Sequence, residues 1–87
     1  MLLTRVDVER ELFAVLARHV PEEVEIKVTS TITGDLCLDS LAVMEVIADV
    51  EDRFHLKIPD HALPELRTVE DVLSALLVHL LQKGEMT

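Results

Sequence analysis

The stretch GDLCLDSLAVMEVIADVEDRF, residues 34–54, changes character at Asp39. Before it, Gly34, Asp35 and Cys37 show no sustained period. After it, Val43, Val46, Ile47, Val50 and Phe54 fall on one side when residues are placed at about 100° intervals, which predicts an amphipathic helix with that side toward a core. Asp39 and Ser40 both suit a helix start, because a short side-chain oxygen can accept a backbone N–H that has no partner within the helix. One cap suffices. Ser40 is therefore either a spare capping residue or a hydroxyl exposed for chemistry.

Working outward, Val8, Leu12, Val15, Leu16 and Val20 recur at helical spacing, with Arg10, Glu11 and Arg18 opposite, so a first helix is expected over about residues 4–19, ended by Pro21. Residues 21–37 mix β-branched residues with Thr, Ser and Gly but offer no second strand to pair with. They are expected to form a long loop pinned by Val24, Ile26, Ile32 and Leu36, and a loop of that length signals function. Beyond Pro59, PDHALPELR has room for one short helix, capped by Asp60 and anchored by Leu63 and Leu66, or for a single 3₁₀ turn, since Pro64 fits an α-helical first turn poorly. Thr68 with Asp71 three residues on is a near match to a capping box, and Val69, Val72, Leu73, Leu76, Leu77 and Leu80 form the stripe of a last helix ending near Gly84. The expected fold is all-α, a single domain over residues 1–87 with three main helices and one short helix, and a long loop between the first two.

Composition narrows the function. Seventeen acidic residues against eight basic ones give a formal charge of −9, which repels a phosphate backbone and argues against nucleic acid as a partner. Basic protein surfaces are the expected partners. Phe13 and Phe54 are the only aromatic residues, so the core is expected to be aliphatic. Cys37 is the sole cysteine and is read as a small buried hydrophobe. The four histidines have no metal-site spacing, so no metal is expected. No apolar run approaches membrane-spanning length, which gives an expectation of a cytoplasmic chain with no membrane insertion.

On the second helix, Glu45, Asp49 and Asp52 lie opposite the core stripe with Glu51 at one flank, and a solvated acidic face is the plain account of them. Leu41, Met44 and Ala48, at i, i+3 and i+7, lie beside these acids and away from the centre of the core stripe. An apolar strip bordered by carboxylates fits a hydrophobic partner groove ringed by Lys and Arg. Ser40 stands at the N-terminal end of that strip, where free N–H groups and the helix dipole favour an attached phosphate.

The ordered set Asp35-Leu36, Asp39-Ser40-Leu41, Glu45, Glu51-Asp52, Phe54, Ile58-Pro59-Asp60 and Thr68-Val69 resembles the acyl carrier proteins, and the resemblance spans most of the chain. It implies a four-helix acyl-carrier bundle that is monomeric. It implies a 4′-phosphopantetheine group on Ser40, transferred from coenzyme A by a Mg²⁺-dependent phosphopantetheinyl transferase, with acyl intermediates held as thioesters on its thiol. It further implies no catalysis by the carrier itself, and a partner-binding face of Asp39, Leu41, Met44, Glu45, Ala48, Glu51 and Asp52. Its expected partners are acyl-transferring, condensing or modifying enzymes with basic docking surfaces. Val46, Ile47, Leu63, Leu66 and Val72 are the residues that would line an acyl-chain pocket, although ordinary core is the better account of any one of them.

Departures from the family pattern bear on subtype. Cys37 stands where fatty-acid carriers commonly have Gly, Ala42 replaces a frequent acid, and Arg53 interrupts the acidic cluster, which points away from general fatty-acid synthesis and toward a dedicated carrier in a specialised lipid or polyketide pathway. Two alternatives stay open: an aminoacyl or peptidyl carrier of nonribosomal synthesis, which Leu38 and the −9 charge disfavour, and an unmodified acidic adaptor in which Ser40 only caps its helix.

Overall fold

Residues 2–86 are described by a computed structural model. Three α-helices, α1 (Arg5–His19), α2 (Ser40–Phe54) and α3 (Val69–Gln82), and a 3₁₀ helix over Asp60–Glu65 follow one another, and the described residues form no strand. The all-α expectation holds. The apolar stripes expected of α1, α2 and α3 are the ones buried, with Val43 and Leu77 at their edges only partly covered. α1 packs on both α2 and α3, and Leu12, Leu16, Val50, Leu73 and Leu76 close the centre. The core is aliphatic apart from Phe54, so it depends on the fit of branched side chains rather than on ring stacking.

Local sequence sets each helix end. Thr4 caps α1 in a full capping box: its hydroxyl accepts the Asp7 N–H while the Asp7 carboxylate accepts the Thr4 N–H. Thr68 and Asp71 do the same for α3. α2 ends at His55, which adopts the left-handed conformation at φ 54° and whose carbonyl accepts a hydrogen bond from Lys83 Nζ. The short helix corrects one expectation. Its N-cap is Pro59, with no side-chain hydrogen bond, and Asp60 is its first residue, so Asp60 does not cap it. The 3₁₀ form accommodates Pro64, which has no N–H to give.

The long connection is ordered by hydrogen bonds to the start of α3. The first N–H groups of any helix lack partners within it. Here Val69 N–H donates to the Ser30 carbonyl at 3.0 Å and Glu70 N–H to the Val28 carbonyl at 2.9 Å, while Ile32 N–H donates back to the Arg67 carbonyl at 2.8 Å. The Ser30 hydroxyl, buried, accepts the Lys27 N–H. Ile32 and Leu36 are buried and Val24 and Ile26 pack at the core edge, as expected of the loop's anchors.

Asp49 departs from its expected place in open solvent. It is half-buried against α1, with Oδ2 3.0 Å from His19 Nε2 and 3.5 Å from Arg18. The His19 hydrogen bond, aided by Arg18, holds its carboxyl below the ordinary carboxylate value. Asp7 is lowered by the Thr4 backbone N–H, and Asp71 by the backbone N–H groups of Thr68 and Arg67. A carboxyl with a lowered folded-state pKa adds stability above its unfolded pKa of about 4 and loses it as pH falls through the folded value. Asp71→Asn, which keeps an acceptor oxygen but no charge, should unfold more readily than the parent near neutral pH. The gap between the two should close as pH drops below about 4 in denaturant titrations.

Candidate functional site

The question raised by Asp39-Ser40 has a geometric answer. Asp39 is extended (φ −83°, ψ 177°), and its Oδ1 accepts the Ala42 N–H at 2.8 Å, so Asp39 is the cap. Ser40 is the first helical residue and is exposed, and its hydroxyl enters none of the hydrogen bonds among the described residues. The Ser40 and Leu41 N–H groups likewise have no acceptor there. An exposed hydroxyl beside two free N–H donors at the positive end of a helix suits an attached phosphoryl group.

The approach to Ser40 is held by a tight turn. Thr31 N–H donates to Asp35 Oδ2 at 3.0 Å and Asp35 N–H donates to Thr31 Oγ1 at 2.8 Å. Gly34 sits inside this pair, where a Cβ would come within 2.6 Å of Thr31 Oγ1, an atom fixed by its own hydrogen bond on a side chain stiff at χ1. Cys37 corrects an expectation: it is exposed, not buried, because its backbone is left-handed at φ 58° and turns the side chain outward. Leu38 takes the buried place instead. The Gly that fatty-acid carriers commonly have at this position is the residue such a backbone favours.

Beside Ser40 a groove of about 550 Å³ runs between α2 and the segment before α3. Its walls are Thr31, Ile32, Thr33, Ser40, Val43, Met44, Leu63, Pro64, Leu66 and Arg67. Of the residues expected to line an acyl pocket, Leu63 and Leu66 stand in this groove. Ile47 lines an adjoining depression of about 420 Å³ that shares Met44 and Leu63 with it. Val46 and Val72 are core residues and line neither. The groove's loop wall, Thr31 to Thr33, and Arg67 have no motif or period to mark them; the Ile32 to Arg67 hydrogen bond that joins these walls leaves no trace in the spacing of the chain.

On the outer face of α2, Leu41 and Met44 are 70% and 55% exposed and lie one turn apart, so they form a continuous apolar strip. Ala48, Glu45 and Asp52 are exposed with them. Glu51 also holds the backbone, since its Oε2 accepts the Ile58 N–H at 2.8 Å and fixes the turn after α2. Ala48, Glu51 and Asp52 share a shallow depression with Lys57, so this end of the face carries a cation among its acids.

Residues 10–76 match the family described as "Phosphopantetheine attachment site". The chain is 36% identical over 70 residues to an acyl carrier protein of Myxococcus xanthus, covering 75% of this chain and 89% of that protein. It is 36% identical over 70 residues to one of Micrococcus luteus (75% and 86%), and 39% identical over 69 residues to one of Exiguobacterium sibiricum (79% and 84%). The chain belongs to the acyl carrier protein family, whose phosphopantetheine-attachment domain it contains. Proteins of this family are carriers rather than catalysts, and they work with a phosphopantetheinyl transferase and with synthesis enzymes. Among the described residues no helix is long and apolar enough to cross a membrane.

The geometry separates the two neighbours at the helix start. Asp39→Ala should cost about 1 kcal/mol of stability through the lost cap. Ser40→Ala should change stability by less than about 0.5 kcal/mol, as for an exposed side chain without partners. Paired urea titrations of the two variants check this.

Proposed function

We propose that Ser40 is the attachment serine of a single acyl carrier domain over residues 1–87. The observation that carries this is the division of roles at the start of α2: Asp39 does the capping, which leaves the exposed Ser40 hydroxyl free, at the mouth of a groove and within the matched span. A 4′-phosphopantetheine arm joined there supplies a terminal thiol that holds acyl groups as thioesters. The chain's own residues then do three things. The free Ser40 and Leu41 N–H groups face the phosphodiester, Leu63 and Leu66 offer apolar wall to the arm and its cargo, and the exposed Leu41, Met44 and Ala48 dock partners. The carrier needs no catalytic group, since the transferase and the synthesis enzymes supply the chemistry.

Glu45 and Asp52, exposed, and Asp39, at the cap, give the docking face its charge, and Glu51 adds to it while holding Ile58. Partners are read as a phosphopantetheinyl transferase and acyl-transferring, condensing or modifying enzymes that present Lys and Arg. Charge steers the encounter and the apolar strip holds it. The departures at Cys37, Ala42 and Arg53 support a dedicated pathway in specialised lipid or polyketide synthesis, in the cytoplasm, with the carrier acting as a monomer.

Intact mass of the apo protein, incubated with coenzyme A, Mg²⁺ and a broad-specificity transferase, tests the assignment. Wild type should gain one phosphopantetheine and Ser40→Ala none. A gain by Ser40→Ala would move the attachment elsewhere. No gain by wild type, with the transferase active on a control carrier, would favour the unmodified adaptor. Glu45→Lys should keep the fold but weaken docking to a basic partner, with a shallower salt dependence in binding titrations.

A further inference from the structure

The groove beside Ser40 has a single charged wall residue, Arg67, and no carboxylate. That is unexpected in a chain with 17 acidic and 8 basic residues. Arg67 is also free. Among the described residues, Arg10 pairs with Asp7, Arg18 with Asp49, Lys27 with Glu25, Arg53 with Glu11 and Lys83 with Glu85, whereas Arg67, like Arg5 and Lys57, enters no ion pair, and of these three only Arg67 stands on the groove. The nearby Asp71 Oδ2 accepts the backbone N–H groups of Arg67 and Thr68, and the Arg67 charge is the least of the influences that lower the pKa of that carboxyl.

The backbone at this position is held from both sides. Arg67 N–H donates to Asp71 Oδ2 at 3.0 Å and the Arg67 carbonyl accepts the Ile32 N–H. A fixed backbone with an unpaired guanidinium, on a groove that also carries the Thr31 and Thr33 hydroxyls, is suited to an anion with several oxygen atoms, which the planar guanidinium meets with two parallel N–H donors. An uncharged acyl chain gives such a group nothing to bind; Leu63 and Leu66 already serve that purpose.

We infer that Arg67 is an anion-binding residue of the groove, and that it receives an oxyanion carried on Ser40. The inference rests on Ser40 being the attachment serine. Two sources share this chemistry: the phosphodiester of the arm, and a carboxylate at the far end of a dicarboxylic acyl cargo. Arg67 therefore either orients the arm into the groove or selects carboxylated cargo.

The experiment compares the apo, holo, acetyl-loaded and malonyl-loaded forms by the Arg67 Nε–Hε resonance in ¹H–¹⁵N spectra, with intact mass taken on each sample. A shift from apo to holo that high salt reverses assigns the phosphodiester as the ligand. A shift that appears only between the acetyl and malonyl forms assigns the carboxylate. In either case Arg67→Gln should reduce contact of the arm with the Leu63 and Leu66 methyl groups about two- to five-fold, the size of one exposed ion pair, and Arg67→Lys should retain more of it. An Arg67 resonance that stays in place in every loaded form, with the mass showing the arm on Ser40, overturns the inference. Absence of the arm from the mass overturns the Ser40 assignment, and the Arg67 inference with it.

Discussion

Three backbone hydrogen bonds, Val69 to Ser30, Glu70 to Val28 and Ile32 to Arg67, join the loop after α1 to the start of α3, and the geometry around Ser40 depends on them. The first two serve two needs at once, and the third ties the loop back to the residue before the α3 cap. α3 begins with N–H groups that cannot be satisfied within the helix, and the loop has carbonyl groups that no strand or helix takes up. Each supplies what the other lacks. Fixing a residue's backbone costs about 1–2 kcal/mol of conformational entropy, so a long connection stays ordered only where bonds and burial such as these offset it. Ile32 and Leu36, buried beneath it, supply the apolar part.

With residues 28–32 fixed, the following turn has little freedom. Thr31 is held beside Thr68 by an isolated bridge, and its side chain is locked in the reciprocal pair with Asp35. Gly34 gives the turn room, Cys37 takes the left-handed position and Leu38 enters the core, so the chain reaches Asp39 in the extended conformation that a helix cap requires. The same bonds bring Arg67 and Ile32 to one wall of the groove and leave α2 as the other. The α1 contacts that hold α2 are separate: Asp49 with His19 and Arg18, and Arg53 with Glu11. The rigid side of the helix is thus tied to α1, and its Leu41 and Met44 side is left to solvent.

What is legible in the sequence is what has a period or a short motif. The stripes of α1, α2 and α3, the Thr68 cap, the Asp39 cap and the exposed Leu41–Met44 strip all follow from spacing along one helix or across one turn. What is not legible depends on contacts between distant segments. Asp49 has the same wheel position as a solvated acid, and only the packing of α1 brings His19 to it. Glu51 looks like one more acid of the face until the chain folds back to place the Ile58 N–H on it. Cys37 looks like a small buried residue because composition does not report the sign of φ. Arg67 looks like any surface cation because its neighbours across the groove, Thr31 to Thr33, lie far away in the chain.

Amide hydrogen exchange on the apo protein tests the central constraint most directly. If the loop is stitched to α3 by these bonds, the Ile32, Val69 and Glu70 amides should be protected to a degree comparable with core helix amides such as Val50 and Leu76. Exchange of those three at the rate of an unstructured chain, while the helix amides remain protected, would contradict the account.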